Sequence, residues 1–292
     1  AALVVGPPDM PAEYAGAHCV ATRGPRFPLY PDVRMNVLSP AALRALRAFR
    51  PDVVHVVNPA FLGPAGILYA RARHLPLVAS YHTDVPGYAR AYGYPWAERG
   101  LWEFFRALHN RADLNLVPSS AVLRQVRAHG FRRVRWWRRG VDTRRFRPLP
   151  PDPAMRARLS GDHPDDFLML YVGRVAKEKG LDQLAEPLRH LPGARLAIVG
   201  GGPELPQMRE RFRDSAAVFT GFLRGDELVQ AFSCADALLF PSTNETFGLV
   251  ALEAMACGLP VIAPMRGGLV DILQDEYNAL VYDPGDIRSL LA

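Results

Sequence analysis

The sequence predicts an α/β protein with two Rossmann-like, parallel-sheet domains that face each other across a cleft. Short apolar strands alternate with amphipathic helices along most of the 292 residues, a pattern typical of parallel α/β folds. The alternation breaks once, at a segment rich in proline and acidic residues, and then restarts. The predicted domains are therefore residues 1–148 and 167–292, with residues 149–166 as the linker.

The first domain opens with an apolar run at 2–6, which predicts a buried strand. Similar runs predict strands at 53–57, 76–82 and 114–119. Ser39 and Pro40 form the signal for a capped helix start. Helices are predicted at 41–49, 66–72, 97–111 and 121–129.

The second domain repeats this alternation. A glycine run at 199–204 follows a strand directly, which predicts a tight turn. One helix is predicted to begin at Gly180, and three others are predicted to span 205–212, 226–233 and 247–256. Strands are predicted at 167–173, 195–200, 217–221, 237–242, 260–263 and 279–283.

The composition is that of a globular protein. Apolar residues make up 49% and charged residues 22%, and no apolar run reaches the roughly 18 residues of a transmembrane helix. Cys19, Cys234 and Cys257 fit no metal-ligand spacing, so we expect buried thiols in a reducing compartment and no metal site. The chain opens inside a strand-like run without methionine, so we expect its first segment to be missing.

Charge is distributed unevenly between the two halves. Residues 1–150 hold 22 Arg and 9 acidic residues, 22 − 9 = +13. Residues 151–292 hold 13 Lys and Arg and 20 acidic residues, 13 − 20 = −7. This asymmetry predicts an anionic partner for the first domain: nucleic acid, an anionic membrane surface or a phosphorylated substrate.

Two carboxylates flank a predicted strand-to-helix turn in the second domain. Glu245 lies in the loop after the strand, and Glu253 lies eight positions later, inside the helix. Ligands bind at this edge of an open parallel sheet, and free N–H groups at a helix start favour phosphate or hydroxyl groups. The alternative is a first-turn acid and a solvated helix residue, although the apolar neighbours of Glu253 favour a ligand role.

A basic loop follows the first strand of the same domain. Gly173 is followed by Arg174, Lys177 and Lys179, and Gly180 ends the loop. These are the only two lysines among the 35 basic residues of the chain. Cations at this edge of a sheet suit a diphosphate, and a solvated charge run is the alternative.

Four motifs in order along the chain resemble those of retaining glycosyltransferase family 4. The loop Gly173–Gly180 and the Glu245–Glu253 pair match its strand-G-R-x-x-x-x-K-G and E-x7-E motifs. SYHTDVPGYARAYG at 80–93 resembles the subgroup of sulfoquinovosyl-diacylglycerol synthases and lipid mannosyl- and glucosyltransferases, and RRGVDTRRFRP at 138–148 is similar to a junction segment of the family. The resemblance covers nearly the whole chain and implies the GT-B fold, with an acceptor-side first domain and a nucleotide-sugar-binding second domain.

The resemblance implies a donor site for a UDP- or GDP-linked sugar. Arg174 and Lys179 would hold the diphosphate, Glu245 the transferred sugar and Glu253 the ribose. Residues 221–223 and the helix from Asp226 would lie near the base. The implied catalytic residues are His82, Arg174, Lys179 and Glu245, and the implied donor-binding residues are Gly173, Arg174, Lys179, Glu245, Thr246, Phe247, Gly248, Leu249 and Glu253.

His82, at a strand end of the first domain, would reach across the cleft to the sugar near the reacting carbon. A lone histidine at a strand end is otherwise a structural residue, and only the surrounding YHTD sequence favours the functional role. Asp84 either caps the next segment or contacts the acceptor.

The resemblance also implies the reaction. A hexosyl group would move with retention of configuration to an acceptor hydroxyl, expected on a lipid such as diacylglycerol or a phosphatidylinositol-type glycolipid. Fixed cations beside the departing diphosphate lower the barrier, so neither a metal ion nor a separate cofactor is expected. The expected location is the cytoplasm, either free or as a peripheral protein at the inner face of the cell membrane. The family also has an earlier strand with a glycine-rich loop and closing helices, both expected to be missing.

Two other functional classes stay open at this point. A sugar-nucleotide epimerase on the same fold would bind the same donor without transferring it, and would need further acid/base carboxylates. An Arg-rich nucleic-acid-binding module would use residues 131–147, which hold eight Arg among aromatic side chains. We expect no nucleic acid partner, because that module leaves the paired Glu and the basic loop unexplained. An anionic lipid surface is the expected partner of this stretch, and packing of Arg stems over apolar surface is the alternative.

Overall fold

Strands and helices alternate along the chain in the computed structural model, which describes residues 1–27, 30–286 and Ser289. Residue contacts divide the chain into two units. The first collects 1–86, 97–117 and 123–137, and the second collects 87–96, 118–122 and the chain from 138 onward. The sequence-based boundaries at 148 and 167 differ from this division and remain a prediction.

The first half of the chain contains short parallel strands with helices between them. Ser39 caps its first helix, because its Oγ accepts a hydrogen bond from the backbone N of Ala42 at 3.1 Å. The elements are β1 Ala2–Gly6, β2 Glu13–Tyr14, β3 Ala17–Ala21, β4 Arg26–Phe27, β5 Tyr30–Arg34, α1 Pro40–Phe49, β6 Val54–Val57, α2 Gly63–Ala72, β7 Leu77–Ser80, α3 Val85–Ala91, α4 Pro95–His109, β8 Leu114–Val117, α5 Ser120–Ala128 and β9 Val134–Trp136.

The described strands of the first unit form more than one sheet. Strands β6, β7, β8 and β9 make a parallel sheet in that order. Strand β1 pairs with β3 in parallel, whereas β2 and the β4–β5 pair are antiparallel. The sequence analysis missed β2 to β5 and β9. Strands β2, β4, β5 and β9 lack an apolar run, whereas β3 has the apolar-rich sequence AHCVA, which the analysis overlooked. Directly after β7, Tyr81 packs among four rings, with centroid distances of 5.9 to 6.4 Å to Trp102, Phe105, His109 and Phe131.

The second half of the chain carries one larger parallel sheet. Its strand order is β12-β11-β10-β13-β14-β15, which follows the 3-2-1-4-5-6 order of Rossmann folds. Buried aliphatic side chains from both faces of these strands form its cores. The elements are α6 Pro153–Ser160, β10 Phe167–Val172, α7 Ala185–Arg189, β11 Ala194–Val199, α8 Leu205–Arg211, β12 Ala217–Gly221, α9 Asp226–Cys234, β13 Ala237–Leu239, α10 Leu249–Ala256, β14 Val261–Ala263 and β15 Ala279–Val281.

The segment 149–166, expected to be a linker, contains helix α6. Asp152 caps the helix by accepting from the backbone N of Ala154 at 3.0 Å, and Gly161 ends it with φ +63°. Arg156 on this helix donates to the Asp236 carboxylate at 2.8 Å. The segment therefore packs against the second sheet, although its prolines and acidic residues are typical of a linker.

The helix predicted from Gly180 is interrupted. Residues Lys177–Lys179 and Leu181–Leu184 form two 3₁₀ turns, and only Ala185–Arg189 is α-helical. Gly180 lies between the two turns with φ +68°, a left-handed conformation that glycine adopts without strain. The interruption matters because it directs the charged side chains of the basic loop.

No helix in the described part of the chain is long and apolar enough to cross a membrane.

Candidate active site

The loops that follow β10 and β13 meet at one edge of the second sheet. These two strands are neighbours, and the order of the sheet reverses between them. Ligands of open α/β sheets bind at such a switch point. A Cβ atom on Gly180 would lie 3.2 Å from the carbonyl O of Pro241, and the Ser242 hydroxyl donates to the carbonyl O of Glu178 at 3.4 Å. The basic loop and the loop that leads to Glu245 are therefore in contact.

The glycine run after β11 supports the basic loop from its other side. A Cβ atom on Gly200 would lie 1.9 Å from the carbonyl O of Gly173, and one on Gly202 would lie 2.3 Å from that of Val175. The backbone N of Val175 also donates to the carbonyl O of Gly201 at 3.0 Å. Only glycine permits this close approach, so the run is a packed turn, as its sequence predicts.

The 3₁₀ turn at 177–179 points its three charged side chains in three directions. Successive residues of a 3₁₀ helix are rotated by about 120°. Lys177 is exposed and lines an outer groove, Glu178 is buried, and Lys179 is half-buried and points toward Glu245. The sequence analysis grouped both lysines in one cationic loop, whereas only Lys179 contacts Glu245.

Lys179 and Glu245 form an ion pair. The Nζ of Lys179 lies 3.0 Å from Oε2 of Glu245, and the two side chains are only 18% and 16% exposed. A pair with so little solvent contact is weakly screened. Two residues that lie 66 positions apart in the sequence thus place one positive and one negative charge at the switch point.

Backbone groups on both sides fix Glu245. Its Oε1 accepts from the backbone N of Phe247 and of Gly248, both at 3.3 Å, and its carbonyl O accepts from Gly268 N at 2.7 Å. Gly248 has φ +94° and precedes α10, so the helix begins at Leu249 rather than at Phe247 as predicted. The left-handed Gly248 turns the chain so that these N–H groups face the carboxylate.

Glu253 lies in the second turn of α10 and is half-buried. Burial raises the pKa of its carboxyl group, and the positive charge of Arg145 opposes this shift. Its side chain forms no hydrogen bond or ion pair with any residue that the structure describes. A carboxylate kept in this environment without a bonded partner is available to a ligand.

Arg174 follows β10 and lies next to a buried tyrosine. The Tyr171 hydroxyl donates to the carbonyl O of Arg174 at 2.7 Å. Burial raises the pKa of Tyr171, with further contributions from the negative charges of Glu178 and Glu245. The Nη2 atom of Arg174 lies 3.7 Å from Oε1 of Glu178. Arg174, Glu178 and Glu245 therefore all lie close enough to Tyr171 to influence its pKa. The sequence analysis missed Glu178, since a charge between two lysines resembles a solvated run.

His82 lies in the first unit, after β7. Its backbone N donates to Oδ1 of Asn58 at 2.8 Å, and its ring centroid is 6.1 Å from that of Trp137. Asp84 is buried, and its carboxylate accepts from the Tyr81 hydroxyl at 3.0 Å and from the Gln125 amide at 3.3 Å. These bonds tie Asp84 to the fold of its own unit.

Clusters of three or more His, Cys, Asp or Glu side chains able to hold a metal ion do not occur in the described ranges.

Comparisons with known proteins assign both halves of the chain. The family model described as "Glycosyltransferase Family 4" matches residues 2–145, and the model described as "Glycosyl transferases group 1" matches residues 158–292. A GDP-mannose-dependent alpha-mannosyltransferase of Mycobacterium tuberculosis is 38% identical, over 99% of this chain and 77% of that protein. The chain belongs to glycosyltransferase family 4.

Other relatives of this glycosyltransferase carry related names. Sulfoquinovosyl transferase SQD2 of Arabidopsis thaliana is 38% identical over 96% of this chain, which spans 56% of the length of that protein. A GDP-mannose-dependent alpha-mannosyltransferase of Mycolicibacterium smegmatis is also 38% identical, over 95% of this chain and 72% of the relative. The family and its lipid glycosyltransferase subgroup are those that the sequence motifs indicate.

Solved structures confirm the GT-B fold of the glycosyltransferase. Sucrose-phosphate synthase from Thermosynechococcus elongatus superposes with a TM-score of 0.78 at 24% identity, over 99% of this chain and 76% of its own. The Anabaena protein HepE, in complex with UDP and glucose, gives a TM-score of 0.70 at 23% identity, over 87% of this chain and 70% of its own. At these identities the likeness concerns the fold alone.

Proposed function

We propose that this glycosyltransferase transfers a hexosyl group from a nucleoside-diphosphate sugar to a hydroxyl of a lipid acceptor, with retention of configuration and without a metal ion. The observation that carries the proposal is the Lys179–Glu245 pair at the switch point, 3.0 Å apart and mostly excluded from solvent. The names of the relatives, a sulfoquinovosyl transferase and GDP-mannose-dependent mannosyltransferases, support a sugar-nucleotide donor. Membership of the family favours transfer over the epimerase and nucleic-acid alternatives.

In the proposed mechanism, Arg174 and Lys179 bind the donor diphosphate and stabilise the negative charge that develops as the glycosidic bond breaks. Such fixed cations act most strongly where water is excluded. Arg offers a planar fork and Lys a compact point charge, which together suit two adjacent phosphates. Glycosyl transfer passes through an oxocarbenium-like state. Positive charge develops on the sugar and negative charge on the departing diphosphate, and it is the diphosphate that these cations stabilise.

The acidic residues of the site bind hydroxyl groups in this proposal. Glu245 accepts from hydroxyls of the transferred sugar while it remains bonded to the N–H groups of Phe247 and Gly248. Glu253, which has no bonded partner among the described residues, accepts from the ribose. For the acceptor step we propose front-side attack, in which the departing phosphate takes the proton of the acceptor hydroxyl and no enzymic nucleophile is used.

Calorimetry with UDP- and GDP-linked sugars tests which donor binds. Transfer assays on dispersed diacylglycerol and phosphatidylinositol then test the acceptor. We expect one nucleotide to bind and the glycolipid product to keep the anomeric configuration of the donor, as read by NMR, in the presence of a metal chelator. An inverted product, or a loss of transfer with the chelator, would contradict the proposed mechanism.

The H82A variant tests the role of His82, and we expect transfer to fall while nucleotide affinity is retained.

We also propose that the Arg-rich stretch 131–147 binds anionic lipid. Its arginines are exposed, and Trp136 and Trp137 are 36% and 41% exposed, whereas Phe131, Val134 and Phe146 anchor the stretch by being buried. Arg with exposed Trp suits an anionic membrane surface. Sedimentation with phosphatidylglycerol vesicles tests this proposal. We expect binding that weakens with salt and is lost in R135Q/R138Q/R139Q, and equal binding to neutral phosphatidylcholine vesicles would contradict it.

A further inference from the structure

Glu178 occupies an unusual position for a charged side chain. Among the described residues, the acidic side chains that are buried are those of Asp84 and Glu178. The Glu178 side chain is 0% exposed. Asp84 accepts from Tyr81 and from Gln125, whereas Oε1 of Glu178 is buried and has no hydrogen-bond donor in the described part of the chain. Burying a carboxylate that lacks one of its donors is costly, so a compensating interaction is expected.

In the described part of the chain, the Glu178 carboxylate has one hydrogen bond and one ion-pair contact. Its Oε2 accepts from the hydroxyl of Tyr92 at 2.7 Å, and its Oε1 lies 3.7 Å from Nη2 of Arg174. Tyr92 directly follows α3 and lies in segment 87–96, which packs within the second unit. Tyr92 therefore fixes one carboxylate oxygen and leaves the other directed at the guanidinium group of Arg174.

We propose that Glu178 is a positioning residue, which holds the guanidinium of Arg174 in the orientation that binds the donor diphosphate, and that Tyr92 in turn fixes Glu178. This inference rests on the proposed function. An arginine side chain loses considerable rotamer freedom when it is ordered. A partner that orders it beforehand removes that cost from ligand binding. Lys179 is held in the same way by Glu245 at 3.0 Å, so each proposed phosphate-binding cation has its own acidic partner.

Removing the charge of Glu178 has two opposing consequences. Loss of orientation weakens diphosphate binding, while loss of a nearby negative charge strengthens it. Orientation dominates in this proposal, because a planar guanidinium fork needs correct alignment with phosphate oxygens. The E178Q variant keeps the size of the side chain and an oxygen that accepts from Tyr92. It replaces the oxygen that faces Arg174 by an NH2 group, and so removes the negative charge that attracts the guanidinium.

Calorimetry with UDP and GDP on the full chain tests the inference, with the wild type, E178Q, R174A, the double variant and Y92F. For the nucleotide that binds, we expect E178Q to weaken affinity about tenfold, in line with loss of a charged contact. Y92F should weaken it in the same direction by about threefold. In the R174A background, E178Q should add less than about a twofold effect, because its partner is already absent.

Controls separate positioning from a general loss of structure. The matching nucleoside carries no phosphate, so its affinity for E178Q should stay within about twofold of its affinity for the wild type. Ligand-observed NMR at millimolar nucleoside concentration measures this affinity. E186Q changes a solvent-exposed glutamate of the same unit that pairs with Arg189, and it should bind nucleotide like the wild type.

Unchanged or tighter diphosphate binding in E178Q would overturn the inference, as would additive effects of R174A and E178Q or an equal loss of nucleoside affinity. A wild-type chain that binds neither UDP nor GDP would instead overturn the proposed function on which the inference rests.

Discussion

The ammonium group of Lys179 and the carboxylate of Glu245 meet 3.0 Å apart, where the loops after two neighbouring parallel strands come together. Lys179 is on the turn after β10 and Glu245 on the loop after β13, so the fold of the second sheet brings them into contact. A cation next to a fixed acid at a switch point can hold a phosphate and a hydroxyl of the same ligand.

K179M should weaken the affinity for the nucleoside diphosphate about ten- to hundredfold, the range for loss of a charged hydrogen bond. The methionine keeps the apolar stem and removes the charge, and the unpaired carboxylate of Glu245 would then repel the phosphates. Calorimetry measures the effect. K177M is the matched control, because Lys177 is on the same turn but is exposed, and it should bind within about twofold of the wild type. Equal losses in both variants would show that the loop acts only through its net charge.

E245Q should lower kcat/KM about a hundredfold and nucleotide affinity only about tenfold, because it removes the contact with the transferred sugar in addition to the charge that orients Lys179. The amide oxygen can still accept from the N–H groups of Phe247 and Gly248, so the loop should keep its conformation. Transfer kinetics and calorimetry together measure this separation. A loss of nucleotide affinity equal to the loss of kcat/KM would argue that Glu245 is structural.

E253Q should make the protein more stable at neutral pH and lower its affinity for nucleoside. Burial raises the pKa of Glu253 in the folded state, so the folded state binds more protons than the unfolded state. Stability therefore falls as pH rises from the unfolded pKa to the raised folded pKa, and this loss persists above that window. Glutamine removes the loss because it does not ionise.

Thermal unfolding of wild type and E253Q at pH 7.5 and pH 4 measures this difference. We expect a higher Tm for E253Q at pH 7.5 and a smaller difference near pH 4, where the carboxyl group is largely protonated in both states. E210Q is the control, because its side chain is 62% exposed and should show no such pH dependence. A lower Tm for E253Q at neutral pH would contradict the pKa shift.

Acid should destabilise the first unit through His109. This side chain is 0% exposed, and burial lowers its pKa from 6.5 to about 4. Asn115 donates its amide N–H groups to two carbonyls, so its Oδ1 accepts from Nδ1 of His109 at 2.8 Å. The ring is therefore neutral when folded, and the unfolded state binds more protons between about pH 6.5 and 4.

Stability should consequently fall as pH drops through that window, by about 3 kcal/mol in total, from a shift of roughly 2.5 pKa units at 1.36 kcal/mol each. Chemical unfolding of wild type and H109Q at pH 7 and pH 4 measures this loss of stability. H109Q should lose less stability on acidification, whereas H190Q, which changes a histidine side chain 61% exposed, should behave like the wild type. An identical pH profile for H109Q would assign the acid sensitivity to other groups.

The parallel sheets and the loops of the donor site could be predicted from sequence, because apolar strands and glycine-flanked charges are local signals. Strands β2, β4 and β5 could not, since such short, polar segments carry no apolar pattern. Strand β3 does carry one, because Ala17 and Cys19 are buried on either side of the exposed His18. Helix α6 was hidden by its prolines, one of which begins the helix at Pro153.

Contacts between distant residues explain what the sequence could not supply at the candidate site. Glu178 resembles a solvated charge until Tyr92, 86 positions away, is seen to contact it. The different directions of Lys177 and Lys179 depend on a 3₁₀ turn that Gly180 ends, and no periodicity reveals such a turn. The identity of the charged residues was therefore readable, whereas their pairing required the fold.

The turn that exposes Lys177 and half-buries Lys179 has a practical consequence for chemical labelling. These are the only lysines of the chain, so a reagent that acylates side-chain amines can modify only this loop. Both lie between Arg174 and Arg189 with no arginine between them, so cleavage after arginine leaves them in one peptide. The extent of acylation at Lys177 then serves as an internal standard for the extent at Lys179. Mass spectrometry of that peptide can therefore titrate the occupancy of the proposed donor site without a radioactive donor.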